Sequence, residues 1–329
     1  MNFTLSVFQY QLVTASMAGA LAIMLASAVY FLVVRESLTM KNRHPVVLGA
    51  VVSGIAGFHY LRVLASWTSA FTFKDGAYVG NGTPFFHGYR YADWLITVPI
   101  LVVQLVLVLN LEAKAQRSMA LRLAAAAALM VAFGFPGEIA TDTTKKMIFW
   151  GLGFIPFAYL VYTLWVEMGP SLRRQPAEVA TTVSNARLTL VTTWMFYPIV
   201  FLFPVLGLTS GMSESMRQIG YSIADVLAKP GYGLLILAVA TLKSKAERAA
   251  ELEAKNEDAL PSMPTMPLMP AVPLMSSMPA PSVAAQPVFQ PAAGVPVSQT
   301  LTMPPLTPRD MPRPNAPQGT QPPSSQRLY

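Results

Sequence analysis

Lys229 stands near the middle of an apolar stretch, residues 216–243, with Asp225 four positions before it and Tyr221 four before that. Residues four apart share one face of a helix, so this amine and carboxylate are spaced to pair. An ammonium deep in hydrocarbon needs a counter-charge, a changed protonation state or a covalent imine. Two readings follow from residue type alone: a structural ion pair that locks a bundle, or an attachment point for a ligand. A second set occupies HGYRYADWLITVPILVVQ, where Arg90, Asp93, Thr97 and Gln104 are separated by three, four and seven residues. That spacing stacks four polar groups in one stripe of an otherwise apolar helix. Pro99 in the same segment is expected to kink the helix and free a carbonyl. A third segment, TLVTTWMFYPIV, carries Trp194, Tyr197 and Pro198. Paired charges and wide rings directed inward from three segments suit a large conjugated ligand.

The elements that must position these groups are membrane helices. The 329-residue chain is 53% hydrophobic and 12% charged, about half the charge density of an ordinary globular protein. Seven stretches are long enough to cross a bilayer, at about 8–34, 46–66, 89–111, 119–137, 146–167, 186–209 and 216–243. The predicted fold is an all-α membrane protein, a seven-transmembrane-helix bundle. Residues 67–87 (WTSAFTFKDGAYVGNGTPFFH) interleave β-formers with KDG and GNG turns and predict an extracellular β-hairpin loop. The predicted domains are a transmembrane domain over 1–243, a charged helical extension over 244–260 and a disordered Pro/Met-rich tail over 261–329. Eighteen of the 28 prolines fall in that tail, where they cannot sustain a helix.

The net charge of +7 is topological, not the mark of a nucleic-acid groove. Arg35, Lys41, Arg43, Lys114, Arg117, Arg122, Arg173, Arg174, Arg187, Lys243, Lys245 and Arg248 fall on one side. Only Lys74, Lys145, Lys146 and Arg217 fall in the opposite loops. The expected orientation is a multi-pass plasma-membrane protein with its N-terminus outside, its C-terminus cytoplasmic and no cleaved signal peptide. Zero cysteines exclude disulfides and thiolate chemistry, and His44, His59 and His87 lack metal-ligand spacing, so no metal site is predicted.

RYADWLITVP, WMFYP, DVLAK and FHY, in order on helices three, six, seven and two, resemble the signatures of the microbial (type 1) rhodopsins, most closely the proteorhodopsin and xanthorhodopsin branch. The resemblance spans residues 1 to about 245 and leaves the tail without a counterpart. It implies all-trans retinal bound to Lys229 as a protonated Schiff base. Asp93 becomes the counterion and proton acceptor, and Asp225 the second counterion held by Tyr60 and Tyr197. Arg90 is the gate toward the outside, and His59 is expected to hydrogen-bond Asp93, its alternative being a packing histidine. With those charges the buried cluster sums to zero. Trp94, Leu101, Met130, Trp194, Tyr197 and Phe201 line the chromophore, and Leu101 implies green absorption. Some xanthorhodopsin-like relatives admit a carotenoid antenna through a glycine on helix five; Trp150 stands at that place, so no carotenoid is expected. The implied partners are membrane lipid and translocated protons, with a homo-oligomer expected.

The departure is Gln104, where pumping members carry a carboxylate, because an amide releases no proton at physiological pH. Asp93 and Thr97 keep the proton-pump pair, which argues against anion pumping. Two readings remain: a light-driven outward proton pump reprotonated slowly from bulk water, and a slow-cycling sensory rhodopsin signalling through a partner or its tail. A receptor bundle without light chemistry is a third. None of the three is an enzyme.

Overall fold

The structure, a computed structural model, describes residues 4–109 and 111–259. The predicted disorder of 261–329 lies outside them. Seven helical rods form the bundle. They are α1 (Val7–Val34), α2 (Met40–Ser69), α3 (Gly88–Leu107), α4 (Ala113–Ile139), α5 (Thr143–Tyr162) with its continuation, α7 (Ala177–Phe201), and α8 (Gly211–Val226) with its continuation. The fifth rod passes through a π-turn, Thr163–Glu167, into α6 (Gly169–Leu172), and the seventh through a π-turn, Leu227–Gly231, into α9 (Tyr232–Ala259). Six rods are long and apolar enough to cross a membrane. The exception is α7, whose first half carries Glu178, Asn185 and Arg187.

Helix ends follow local chemistry. Ser6 closes a capping box with Gln9 at the start of α1, and Ser210 caps α8 through the Ser213 amide. The sixth rod runs from 177 to 201, not over the expected 186–209. Pro176 sets its start, and Pro204 together with Gly207 at φ 74° ends helical geometry beyond Phe201. Its inward stripe, Val179, Val183, Ala186 and Leu190, is buried at helical spacing even where the flanking residues are polar. Pro99 does not interrupt α3, which is helical throughout.

The expected hairpin is present and gains a strand. β2 (Phe71–Lys74) and β3 (Ala77–Gly80) pair antiparallel across Asp75 and Gly76, both at positive φ, the geometry of a tight two-residue turn. β1 (Thr4–Ser6) adds to the far side of β3, so the sheet order is β1-β3-β2. Trp67, fully buried among Tyr10, Phe71 and Phe85, fixes the sheet to the ends of α1 and α2. Here the sheet marks one end of the bundle and the start of α9's extension the other.

At that second end the seventh rod is tied to its neighbours. Ser244 accepts from the Thr39 amide and from Asn42, Thr39 donates to Glu247 at 2.6 Å, and Arg248 donates to the Ser37 carbonyl. Lys243 reaches the Val108 carbonyl at the end of α3.

Candidate functional site: a lysine between two carboxylates

Lys229 lies inside the π-turn of the seventh rod, immediately before Pro230. A proline has no N–H to give and crowds the preceding turn, and the widened turn accommodates both. The Lys229 ammonium donates to Asp225 Oδ1 at 2.6 Å and to Asp93 Oδ2 at 2.8 Å. All three side chains are essentially sealed from solvent. The i, i+4 pair and the helix-three carboxylate expected from spacing are thus brought together on one nitrogen.

The two carboxylates are held very differently. Asp225 receives four hydrogen bonds: from Lys229, from the Tyr60 and Tyr197 hydroxyls at 2.8 Å each, and from the Trp94 indole at 3.1 Å. Arg90 adds a charge 3.6 Å from its second oxygen. Asp93 receives Lys229 alone, and its Oδ1 is buried without a hydrogen-bond partner among the described residues. Thr97 spends its hydroxyl on the Asp93 backbone carbonyl, one turn back, at 2.8 Å. His59 makes no bond to Asp93 in this arrangement: its Nδ1 sits 3.0 Å from the Ile55 carbonyl of its own helix. The expected His59–Asp93 hydrogen bond is not formed here, and Nδ1 is engaged within α2.

Beyond the amine opens a cavity of about 120 Å³. Trp94, Leu101, Met130, Trp194, Tyr197 and Phe201 all line it, together with Lys229 and Asp225. Tyr60 is the one expected chromophore-side residue that stays outside, behind Asp225. The sequence reading missed Phe149, Gly153, Phe154 and Phe157 on the helix-five wall. Trp150 also lines the cavity, its indole donating to the Pro198 carbonyl at 3.0 Å, which bridges the fifth and sixth rods. An apolar cavity walled by wide rings, with one amine among its lining residues, has the chemistry to hold a long conjugated aldehyde. The free ammonium here stands in for the nitrogen such a ligand would share.

Gln104 is fully buried a long way along α3 from this centre. Its Nε2 donates to the Pro45 carbonyl of α2 at 2.7 Å, while its Oε1 is unpartnered among the described residues. Nothing in residue type pointed to Pro45; the contact crosses 59 positions of sequence.

Toward the sheet, Arg90 opens a polar chain that the sequence reading also missed. Arg90 donates to Tyr60 at 3.2 Å and to Gln218 Oε1 at 2.9 Å, and Gln218 donates to Glu214 at 2.7 Å. Arg217 then pairs with Glu214 at 2.9 Å and with Glu138 at 3.5 Å. Arg217 was expected in a loop; it lies within α8 and is buried.

Residues 11–243 match the family described as bacteriorhodopsin-like protein. The chain belongs to that family. It is a microbial type 1 rhodopsin of the proteorhodopsin and xanthorhodopsin branch. The green-light absorbing proteorhodopsin of Gamma-proteobacterium EBAC31A08 is 27% identical over 224 residues, which cover 68% of this rhodopsin and 84% of that protein. The crystal structure of xanthorhodopsin, described as a light-driven ion pump with dual chromophore, is 39% identical, with a TM-score of 0.72 over 75% of this chain and 99% of that one. A thermophilic rhodopsin structure is 40% identical, with a TM-score of 0.73 over the same shares.

Proposed function

We propose that this rhodopsin is a light-driven outward proton pump whose retinal is carried on Lys229, with Asp93 as proton acceptor. The observation that carries the reading is the asymmetry of the two carboxylates: Asp225 is saturated by four donors, whereas Asp93 has one donor and a free buried oxygen. Hydrogen bonds to a carboxylate hold it ionised, so the proton leaving the Lys229 nitrogen has Asp93 as its open destination. Retinal supplies light absorption and an isomerisation that changes the proton affinity of the nitrogen it shares. Asp225, Tyr60 and Tyr197 hold the fixed negative charge beside that nitrogen, and Arg90 balances it from the sheet side. Green absorption is expected with Leu101 on the cavity wall, and Trp150, bridging to Pro198, fills the place where a carotenoid would enter. Energy transfer from an added hydroxylated carotenoid would refute that exclusion. The charge distribution of the loops supports an outside N-terminus and a cytoplasmic C-terminus, with 1–243 as the transmembrane domain and a charged extension after it.

Illuminating retinal-supplied cells in unbuffered medium, with and without a protonophore, tests the pump directly: acidification of the medium that the protonophore abolishes is expected. A second reading, a slow-cycling sensory rhodopsin, is favoured by one observation. Gln104 offers an amide pinned to Pro45 where a proton donor would stand. Absence of net export across pH in the presence of azide would replace the pump with the sensor.

A further inference from the structure

Beyond Lys229, in the half that holds Gln104, the seventh rod carries a buried phenol that the pump reading leaves unused. Tyr232 follows the π-turn directly, three residues after Lys229, and none of its surface reaches solvent. Its hydroxyl donates to the Leu101 carbonyl of α3 at 2.9 Å. Leu101 lines the cavity together with Lys229, and Gln104 lies three residues further along α3. Tyr232 is not among the residues that wall the cavity, so the phenol stands behind Leu101, between the amine and the level of Gln104. Its surroundings are apolar: Val102 and Leu105 of α3, Ile236 of the seventh rod and Leu190 of the sixth belong to the same buried cluster.

A phenylalanine would fill this place with the same ring, and a buried O–H is costly unless it is bonded. What the hydroxyl adds is a tie between two rods, at a telling position. The π-turn before it is where the seventh rod holds itself least. Pro230 brings no N–H, and the Tyr232 amide reaches back to Leu227 across a widened turn. A rod loosened between Lys229 and Tyr232 needs a fastening from outside the helix to stay against α3. The side facing α1 is closed by packing instead. A Cβ at Gly233 would lie 2.6 Å from the Phe31 ring and one at Gly49 3.5 Å from it, so glycines of the seventh rod and of α2 grip one ring of α1. Along the α1 seam a ring keeps the rods closed; along the α3 seam a hydrogen bond does.

We propose that the Tyr232–Leu101 bond seals the chromophore nitrogen from water on the Gln104 side in the resting protein, which makes Tyr232 a positioning residue of the pump. The inference rests on retinal being carried on Lys229. A backbone carbonyl accepts a hydrogen bond but carries no proton onward, so this tie closes the seam without building a path through it. A resting nitrogen open to both sides would exchange its proton with either, and a pump needs one side closed at a time.

Hydroxylamine added in the dark reads the seal. It attacks the imine carbon from water; an oxime forms, the bond to the Lys229 nitrogen breaks, and Lys229 is left as a free amine. Loss of visible absorption therefore follows the access of water. The full-length, retinal-loaded protein in lipid vesicles should bleach slowly. Tyr232→Phe, which keeps the ring and removes the donor, should bleach about fivefold faster, the factor that one buried neutral hydrogen bond sets. Asn42→Ala removes a buried hydrogen bond to Ser244 at the far end of the same half and should leave the rate unchanged, because it opens nothing beside Lys229. Should Tyr232→Phe form no pigment, Tyr232→Met, which also fills the place without a donor, carries the same test. An unchanged or slower rate in the variant without the donor overturns the seal. So does an equal acceleration in Asn42→Ala, which would trace the effect to general stability. If the native protein forms no pigment, the attachment to Lys229 falls and the seal with it, a result distinct from either.

Discussion

The two halves of this bundle, divided at Lys229, are built on opposite plans. The sheet-side half strings Asp225, Arg90, Gln218, Glu214 and Arg217 into one connected polar chain. In the other half the α3 stripe ends at a buried amide, Gln104, tied to a backbone carbonyl, and Asn42, Ser244 and Glu247 gather only at the far end. Burying charge in a membrane protein is costly unless each charge has partners, and the sheet-side half supplies them in alternation. Under the proposed pump reading, the contrast gives proton exit a connected polar route and proton return none. Each experiment below breaks or sharpens that contrast.

The largest effect is expected where the halves meet. Lys229→Ala should abolish visible absorption altogether in a protein that still folds, because a methyl group can form no imine and Asp93 and Asp225 can share the remaining charge of Arg90 and a proton. Pigment retained in that variant without added amine would overturn the attachment site. Asp93→Asn comes next. It removes the acceptor with the free oxygen and leaves Asp225 saturated, so pumping should stop and the protonated pigment should shift to the red, read by absorption spectra and by photocurrent.

How much of this contrast could be read from the sequence depends on which contacts are local. The Asp225–Lys229 pair, the Arg90–Asp93–Thr97–Gln104 stripe and the aromatic walls from Trp94, Trp194 and Tyr197 lie on helical spacing, which is visible in one dimension. The sheet-side cluster is not visible that way. Arg90 meets Gln218 across 128 positions, and Arg217 sits near a helix end where a charge reads as a loop residue. The start of the sixth rod was misplaced for a related reason. Mean polarity hid a buried stripe, Val179, Val183, Ala186 and Leu190, that the helical period carries. The hairpin's turn was legible because Asp-Gly at positive φ is a local signal, but the β1 strand that joins it comes from the other end of the sheet's sequence span. His59 was legible as a motif, but not the engagement of its Nδ1 by the Ile55 carbonyl.

On the return side the expected effects are smaller and kinetic. With an amide, Gln104, where the α3 stripe would carry a donor, the deprotonated state must wait for a proton from bulk water. Its decay should slow about tenfold for each unit of pH raised, since the rate follows proton concentration. Azide should accelerate it, and Gln104→Glu should do the same by placing a donor there, with a higher steady photocurrent because each cycle completes sooner. Fast, pH-independent decay in the native protein, indifferent to azide, would show a donor elsewhere and erase the contrast between the halves.

The smallest effect concerns how firmly Gln104 closes that half. A Cβ at Gly49 would lie 3.1 Å from Gln104 Nε2 and 3.5 Å from the Phe31 ring. The first distance is shorter than comfortable contact, and the ring of Phe31, fully buried, has little room to retreat. The amide is the softer neighbour, so Gly49→Ala should push Gln104 off the Pro45 carbonyl while leaving the cavity around Lys229 and the absorption spectrum unchanged. Losing one buried hydrogen bond costs about 1 kcal/mol. If that bond also bars water from the return path, the same free energy sets the ceiling on the kinetic gain, about fivefold in the decay of the deprotonated state. Thermal bleaching and flash decay measured on the same sample separate the two contributions. Lower stability with unchanged decay would make the Gln104–Pro45 contact a packing bond, and the slowness of proton return would then rest on the missing carboxylate alone.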